Sequence, residues 1–189
     1  MQRQPQRHYS LAEYFAVEES STIKHEYYNG EIFAMAGASL THNHISANVL
    51  AALRTALRDS PCSAFGRDLR LYAPSGLYTY PDVMVVCGEI ELMPDRSDTV
   101  TNPCVLVEVL SEATQDYDRG DKFMLYQAIP TFRDYLLIEQ AKVMVEHFQL
   151  TEGGVWTSQV YTSLDDVVTL SSINIRLPLA EAYRRVFGT

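Results

Sequence analysis

Cationic side chains are scarce in this chain: 15 lysines and arginines stand against 24 aspartates and glutamates, a net charge of −9 over 189 residues. That balance excludes the broad basic field of a general polyanion binder, so any nucleic-acid contact must rest on local charge and bound cations. Cysteine is nearly absent too. Cys62, Cys87 and Cys104 are odd in number, far apart and without a CxxC pair, which argues against a structural zinc site and a disulfide framework. They are expected as buried free thiols, in keeping with a reducing cytoplasm. No apolar run reaches membrane-spanning length, and the arginines near the start are followed by Glu13, Glu18 and Glu19 where a signal peptide would place its apolar core. The expectation is a soluble, cytoplasmic protein with no membrane partner. Internal repeats and low-complexity segments are lacking as well.

What is present is enough apolar material, 47% of residues, for one well-buried core, and a single domain over residues 1–189 is expected. Ser10-Leu11-Ala12-Glu13 is a capping box that opens a short helix through about residue 17. Asn29-Gly30 reads as the turn of a hairpin between strands 25–28 and 31–36, since both positions favour positive φ. Ile45, Val49, Leu50, Leu53 and Leu57 fall on one face of a helix over 42–59. Strands follow over 63–72, 81–87 and 105–110, the last two joined by a polar loop at 93–103. A helix over 119–129 stops at Pro130, a strand covers 134–138, strands near 143–150 and 156–161 flank Gly153-Gly154, and a C-terminal helix follows Pro178. This order predicts an α/β (α+β) fold, a mixed sheet with helices packed against it.

The chemistry begins with a carboxylate inside an apolar strand, Cys104-Val105-Leu106-Val107-Glu108-Val109-Leu110. An ionised group there costs several kcal/mol, on the order of magnitude of a relaxed buried ion, unless it meets a cation or a proton. A second β-branched run, Pro81-Asp82-Val83-Met84-Val85-Val86-Cys87, carries Asp82 at its start. If the two strands are neighbours, Asp82 and Glu108 converge, and hard oxygen ligands of that kind suit Mg²⁺ or Mn²⁺. Lys122 breaks local rules: it shares a helix face with Leu125, Tyr126 and Ile129, lies in a first turn where the dipole disfavours a cation, and follows Gly120. A short loop would return it to Glu108, so Asp82, Glu108 and Lys122 are expected in one pocket. Two carboxylates holding a metal beside a lysine suit phosphodiester hydrolysis.

With these residues in hand, the chain resembles the Uma2-type endonucleases of the PD-(D/E)XK superfamily. The resemblance rests on Pro81-Asp82, on Glu108 to Ser111, and on Asp118-Arg119-Gly120-Asp121-Lys122 with Tyr126. It extends from Asn29-Gly30-Glu31, Met35 to Ser39 and His42-Asn43 through residues 133–139 to the C-terminal helix. It implies a restriction-endonuclease-like core with an added N-terminal hairpin and C-terminal strands, Asp82 and Glu108 as metal ligands, DNA as substrate, and a homodimer for two-strand cutting. The superfamily lysine two positions after the glutamate is replaced here by Leu110, and the resemblance implies that Lys122 on the following helix takes its role. An additional carboxylate is expected from the hairpin, from Glu31 in preference to Glu26. The resemblance also includes His42 at the pocket; His44, about 200° around the helix from it, cannot share its metal.

Blander readings stand beside these. Glu108 would pair with Arg67 or Arg70, Lys122 would lay its stem on the core and its ammonium in water, and Asp116, Asp118 and Asp121 would form a solvated helix start. Tyr126, Tyr135, Phe148 and Trp156 would serve the core or a dimer contact. At the level of function, the alternative to a nuclease is a non-catalytic interaction or regulatory module. A serine hydrolase built on Ser39 or Ser111 with His42 ranks last, since Gly37-Ala38-Ser39 lacks the nucleophile-elbow pattern and its strand-turn-helix context.

Overall fold

The computed structural model describes residues 7–35 and 37–187. The reading of the extreme N-terminus and the expected end of the hairpin at Ala36 lie outside those residues. Ser10 opens α1 (Leu11–Ser20) with the expected capping box: its hydroxyl accepts from the Glu13 amide at 3.2 Å, and its own amide donates to the Glu13 carboxylate at 2.8 Å. The hairpin of β1 (His25–Tyr28) and β2 (Glu31–Ala34) turns on Asn29 and Gly30, whose φ angles of 49° and 82° are those a type I′ turn demands. Then come α2 (Leu40–Ala56), β3 (Cys62–Gly66), β4 (Arg70–Ala73), β5 (Leu77–Thr79), β6 (Val83–Cys87), β7 (Thr99–Val100) and β8 (Val105–Leu110). The remainder is α3 (Gln115–Arg119), α4 (Asp121–Tyr126), β9 (Asp134–Glu139), β10 (Val145–Leu150), β11 (Trp156–Tyr161), β12 (Val167–Leu170), β13 (Ile175–Pro178) and α5 (Leu179–Ala182).

The architecture is mixed α+β. A six-stranded sheet runs β11-β10-β9-β8-β6-β3, and a five-stranded sheet runs β2-β1-β5-β4-β7, with β12 and β13 paired separately. In the larger sheet β8 lies antiparallel to β6 and parallel to β9. A parallel pair needs a crossover, and α3 and α4 supply it, which is why the segment leaving the end of β8 packs back over the same strand. Alternation along β8 sorts its side chains. Val105, Val107 and Val109 meet Ile45, Val49 and Leu53 of α2, while Leu106 and Leu110 meet Phe123, Tyr126 and Tyr135. Each of the three fully buried α2 side chains contributes roughly 1.5–3 kcal/mol by leaving water, so α2 is clamped to one face of the sheet. Glu108 falls between Leu106 and Leu110, on the α4 face.

Several boundaries differ from expectation. The strand expected over 63–72 is two strands separated by a turn, with β3 in one sheet and β4 in the other. Strands β5, β12 and β13 are additional, and the loop at 93–103 contributes β7, parallel to β4. The helix over 119–129 is broken: α3 ends and α4 begins at Gly120, where φ −104° and ψ −97° leave the helical region. A Cβ there would lie 3.1 Å from the Asp116 carbonyl oxygen, so the tight break suits glycine. The cysteine expectation is corrected as well. Cys62 and Cys87 face each other across β3 and β6 and are joined in a disulfide, which leaves Cys104 as a buried free thiol. Spacing along the chain could not reveal a pairing that strand register creates. No helix among the described residues is long and apolar enough to cross a membrane.

Candidate active site

The register Val83↔Val107 between antiparallel β6 and β8 makes Asp82 and Glu108 the next opposing pair, so two strands bring two carboxylates together at one end of the sheet. Both are buried, at 7% and 5% exposure, yet both line a cleft of about 1260 Å³. Asp82 is oriented from two sides: its Oδ2 accepts from the Val109 amide at 2.8 Å and lies 3.0 Å from His42 Nε2. Glu108 is held through Oε1, which accepts from the Tyr126 hydroxyl at 2.8 Å and lies 3.0 Å from Lys122 Nζ. Among the described residues no hydrogen bond engages Asp82 Oδ1 or Glu108 Oε2, while the sole fully buried side-chain polar atom without a partner is Ser75 Oγ. The two free oxygens therefore have access to the cleft.

Lys122 is neither solvated nor incidental. At 4% exposure its ammonium sits 3.0 Å from Glu26, 3.0 Å from Glu108 and 3.4 Å from Asp118. The break at Gly120 allows this, since it turns the last residues of α3 and the first turn of α4 toward the same strand end. The expected trio of Asp82, Glu108 and Lys122 is thus brought together. Neither Arg67 nor Arg70 pairs with Glu108; Arg70 instead reaches Glu18 and Asp98. Glu31 is not among the residues lining the cleft, whereas Glu26 is. Ser39 caps α2 by accepting from the His42 amide and donates to Gln140, so it is no nucleophile for that imidazole.

Two partners were missed by sequence reasoning, Asp118 and Tyr126 in its polar role, and a third, Glu26, was weighed but ranked below Glu31. Asp118 carried a signal, its i,i+4 spacing to Lys122, but was read as part of a solvated cluster. Tyr126 is likewise one turn beyond Lys122. Glu26 carried none beyond its place in the hairpin, because only the packing of β1 beside β5 brings it to Lys122.

The electrostatics follow from carboxylates outnumbering cations. Burial alone would push the Lys122 ammonium down, but Glu108 and Glu26 outweigh it and hold the lysine well above its ordinary range. Burial pushes the Glu108 carboxyl up to about 8, against the pull of Lys122 and with added repulsion from Asp118 and Asp82. The two directions are compatible. Glu26, Glu108 and Asp118 share one ammonium, with Asp82 close enough to add repulsion at Glu108, so Lys122 keeps its proton and the unbalanced charge is relieved by a proton on Glu108 or by an added cation.

The folded Glu108 carboxyl titrates above its ordinary value of 4.5, so the folded state binds the extra proton between that value and about 8. Its ionisation then destabilises the metal-free protein progressively as pH rises through that window, and below it the penalty is absent. In EDTA, the melting temperature of Glu108→Gln relative to wild type is therefore expected to rise from pH 5 to pH 8.5. A pH-independent difference would show that Glu108 carries no such penalty.

The residues fit a hard divalent cation. Among the described residues no group of three or more His, Cys, Asp or Glu side chains forms a ready-made metal cage. Mg²⁺ does not require one: it is commonly held by one or two carboxylates, with waters and substrate phosphate completing the octahedron. Two cleft-facing carboxylate oxygens on adjacent strands match that donor set, and the excess negative charge around Glu108 favours it.

Comparison with known proteins gives three findings. A family model described as "Uma2: Putative restriction endonuclease" matches residues 11–180. Two Synechocystis proteins are similar over most of their length: "Uncharacterized protein sll1609" is 40% identical over 148 residues, 78% of this chain and 84% of that one. "Uncharacterized protein slr1290" is 36% identical over 178 residues, 93% and 91% of the two chains. Among solved structures, that of "a putative nuclease belonging to DUF820 from Anabaena variabilis" superposes with a TM-score of 0.71 at 16% identity, covering 86% of this chain and 91% of the other.

Proposed function

The chain belongs to the Uma2 family of restriction-endonuclease-like proteins, and from that premise we propose that it is a metal-dependent endonuclease hydrolysing DNA phosphodiester bonds at the Asp82–Glu108–Lys122 cleft. The observation that carries this reading is the convergence of those three side chains, from the entrance of β6, from β8 and from α4, around oxygens open to the cleft.

Mg²⁺ or Mn²⁺ held by Asp82 and Glu108 would supply charge for the scissile phosphate and acidify a water. The chain's own residues do the rest. His42 and the Val109 amide fix Asp82 through Oδ2 and leave Oδ1 for the cation. Tyr126 fixes Glu108 through Oε1 in the same manner. Lys122, anchored by Glu26 and Asp118, presents a fixed positive charge where the phosphate gains negative charge, and a preorganised cation that is itself buried acts more strongly there than one in solvent. Leu110 and Leu125 contribute apolar walls that limit water. Cutting both strands of a duplex calls for two such sites, so the proposal includes a homodimer, measurable by light scattering.

The test is cleavage of supercoiled and single-stranded DNA by the purified protein with Mg²⁺, Mn²⁺ or EDTA, together with calorimetric Mn²⁺ binding. Asp82→Asn keeps an acceptor for the Val109 amide but removes the charge, and should weaken Mn²⁺ binding by about tenfold or more. Cleavage that survives EDTA, or Mn²⁺ binding indifferent to Asp82→Asn, would remove the metal from the mechanism. No cleavage and no Mn²⁺ binding would favour the non-catalytic interaction module, the reading that a net charge of −9 supports.

A further inference from the structure

Carboxylates dominate the cleft beyond its inner cluster: Glu112, Asp121 and Glu139 also line it, and among the described residues Arg67 is the one lysine or arginine lining it besides the internally paired Lys122. A nucleic-acid strand entering it brings phosphates that these walls repel, so the cations that hold the strand must lie elsewhere.

On α2, His42 faces Asp82, while His44 is turned about 200° away. A shallow pocket of about 240 Å³ opens there, lined by His44, Asn48, Arg184 and Arg185, with no carboxylate among the four. His44 and Asn48 lie one turn apart on the same helix face. The Asn48 amide donates to the carbonyl oxygens of Ala182 at 3.1 Å and Arg184 at 2.9 Å, which pins the segment after α5 against α2 and sets the two arginines beside His44. In an acidic protein, this is a built concavity of guanidinium and imidazole groups.

We propose that this pocket is a phosphate-binding site, and that the phosphate it takes is a backbone phosphate of the nucleic-acid strand whose cleaved bond lies in the cleft. The assignment to a nucleic-acid backbone rests on the nuclease reading; the affinity for phosphate does not. Guanidinium groups fork onto phosphate oxygens in a way that lysines do not, and the pocket is small enough for one or two phosphate groups. A helix with its side chains is about 10–12 Å across, so a strand engaged beside Asp82 need only pass the first turns of α2 to reach Arg184 and Arg185. Such contacts recognise backbone and carry no sequence information.

Two measurements decide it. Pyrophosphate is titrated into the full-length protein while the His44 imidazole resonances are followed, and a fluorescent single-stranded oligonucleotide is titrated in EDTA over a series of salt concentrations. Wild type should show a saturable His44 shift, absent from the Arg184→Gln/Arg185→Gln double variant; both arginines are exposed, so the variant should fold normally. Oligonucleotide affinity should fall, and the slope of log K against log salt should shrink by about 0.7 to 1.4, the contribution of one or two phosphate contacts. Asn48→Ala, which keeps both arginines but unties their segment, should fall between the two.

No saturable shift overturns the site. A saturable shift with an unchanged salt slope overturns the nucleic-acid assignment and identifies a site for free phosphates. Metal-dependent cleavage by wild type alongside an unchanged slope in the double variant refutes this proposal while the nuclease reading stands. A pyrophosphate shift lost in the double variant, in a protein that never cleaves, supports the pocket as a phosphate site and discards the nuclease.

Discussion

Glu108→Gln is expected to lower metal-dependent cleavage by on the order of a hundredfold to a thousandfold, the range seen when one preorganised charge-stabilising contact is removed, while leaving the fold intact. The substitution is nearly isosteric. Its amide oxygen can still accept from the Tyr126 hydroxyl and face Lys122 Nζ, so the contacts at 2.8 Å and 3.0 Å keep an acceptor. What disappears is a buried charge among Asp82, Asp118 and Glu26, together with an anionic ligand for the cation. Removing a costly buried charge without changing shape is neutral or stabilising, so loss of activity and retained or increased melting temperature are expected together. Single-turnover cleavage and a thermal melt on the same sample make the comparison. Full activity would dismiss Glu108 from the mechanism, and collapse of the fold would show that its role is structural.

Lys122→Met has the larger effect on stability. Methionine matches the stem of the lysine but leaves Glu26, Glu108 and Asp118, now within 3.0–3.4 Å of an ammonium, facing one another without a cation. Breaking a buried ion pair from one side costs about 3–5 kcal/mol, because the remaining charge stays desolvated. Cleavage should vanish with it. The pH dependence separates this cause from lost packing. Buried carboxylates without a cation penalise the folded state at neutral pH, and acid relieves that penalty progressively by protonating them as the pH falls toward the ordinary carboxylate range. Urea denaturation at pH 7.5 and pH 4.5 measures it: the deficit relative to wild type should shrink markedly at the lower pH. A deficit equal at both would place the cost in packing. Lys122→Arg, which keeps the charge on a bulkier head, should recover more stability than activity.

Much of the site was legible because it violates local rules. A glutamate between aliphatic residues and a lysine on an apolar helix face are energetic anomalies visible without coordinates, and both proved to be partners in one cluster. Asp82 was legible as the start of a second buried strand. The hairpin turn, the capping box on α1 and the apolar face of α2 were also plain, since each depends on residues a few positions apart. The errors share a cause. Glu31 was preferred to Glu26 because the two bracket one turn almost symmetrically, and only the pairing of β1 with β5 decides which faces the cleft. The disulfide escaped because Cys62 and Cys87 become neighbours through the β3–β6 register.

By itself, then, the sequence determined which groups are anomalous and which short segments form: the apolar runs, the caps, the turn, and the buried charges that demand compensation. These are local matters of propensity, periodicity and the cost of desolvating a carboxylate. The tertiary structure alone decided who compensates whom. The antiparallel register of β6 on β8 set Asp82 opposite Glu108, the crossover with its break at Gly120 delivered both Asp118 and Lys122 to one strand end, and β1 brought Glu26. Charge interactions act through space, and their partners here come from strands and helices far apart in the chain. Their pairing is therefore a property of topology, which no local pattern of residues encodes.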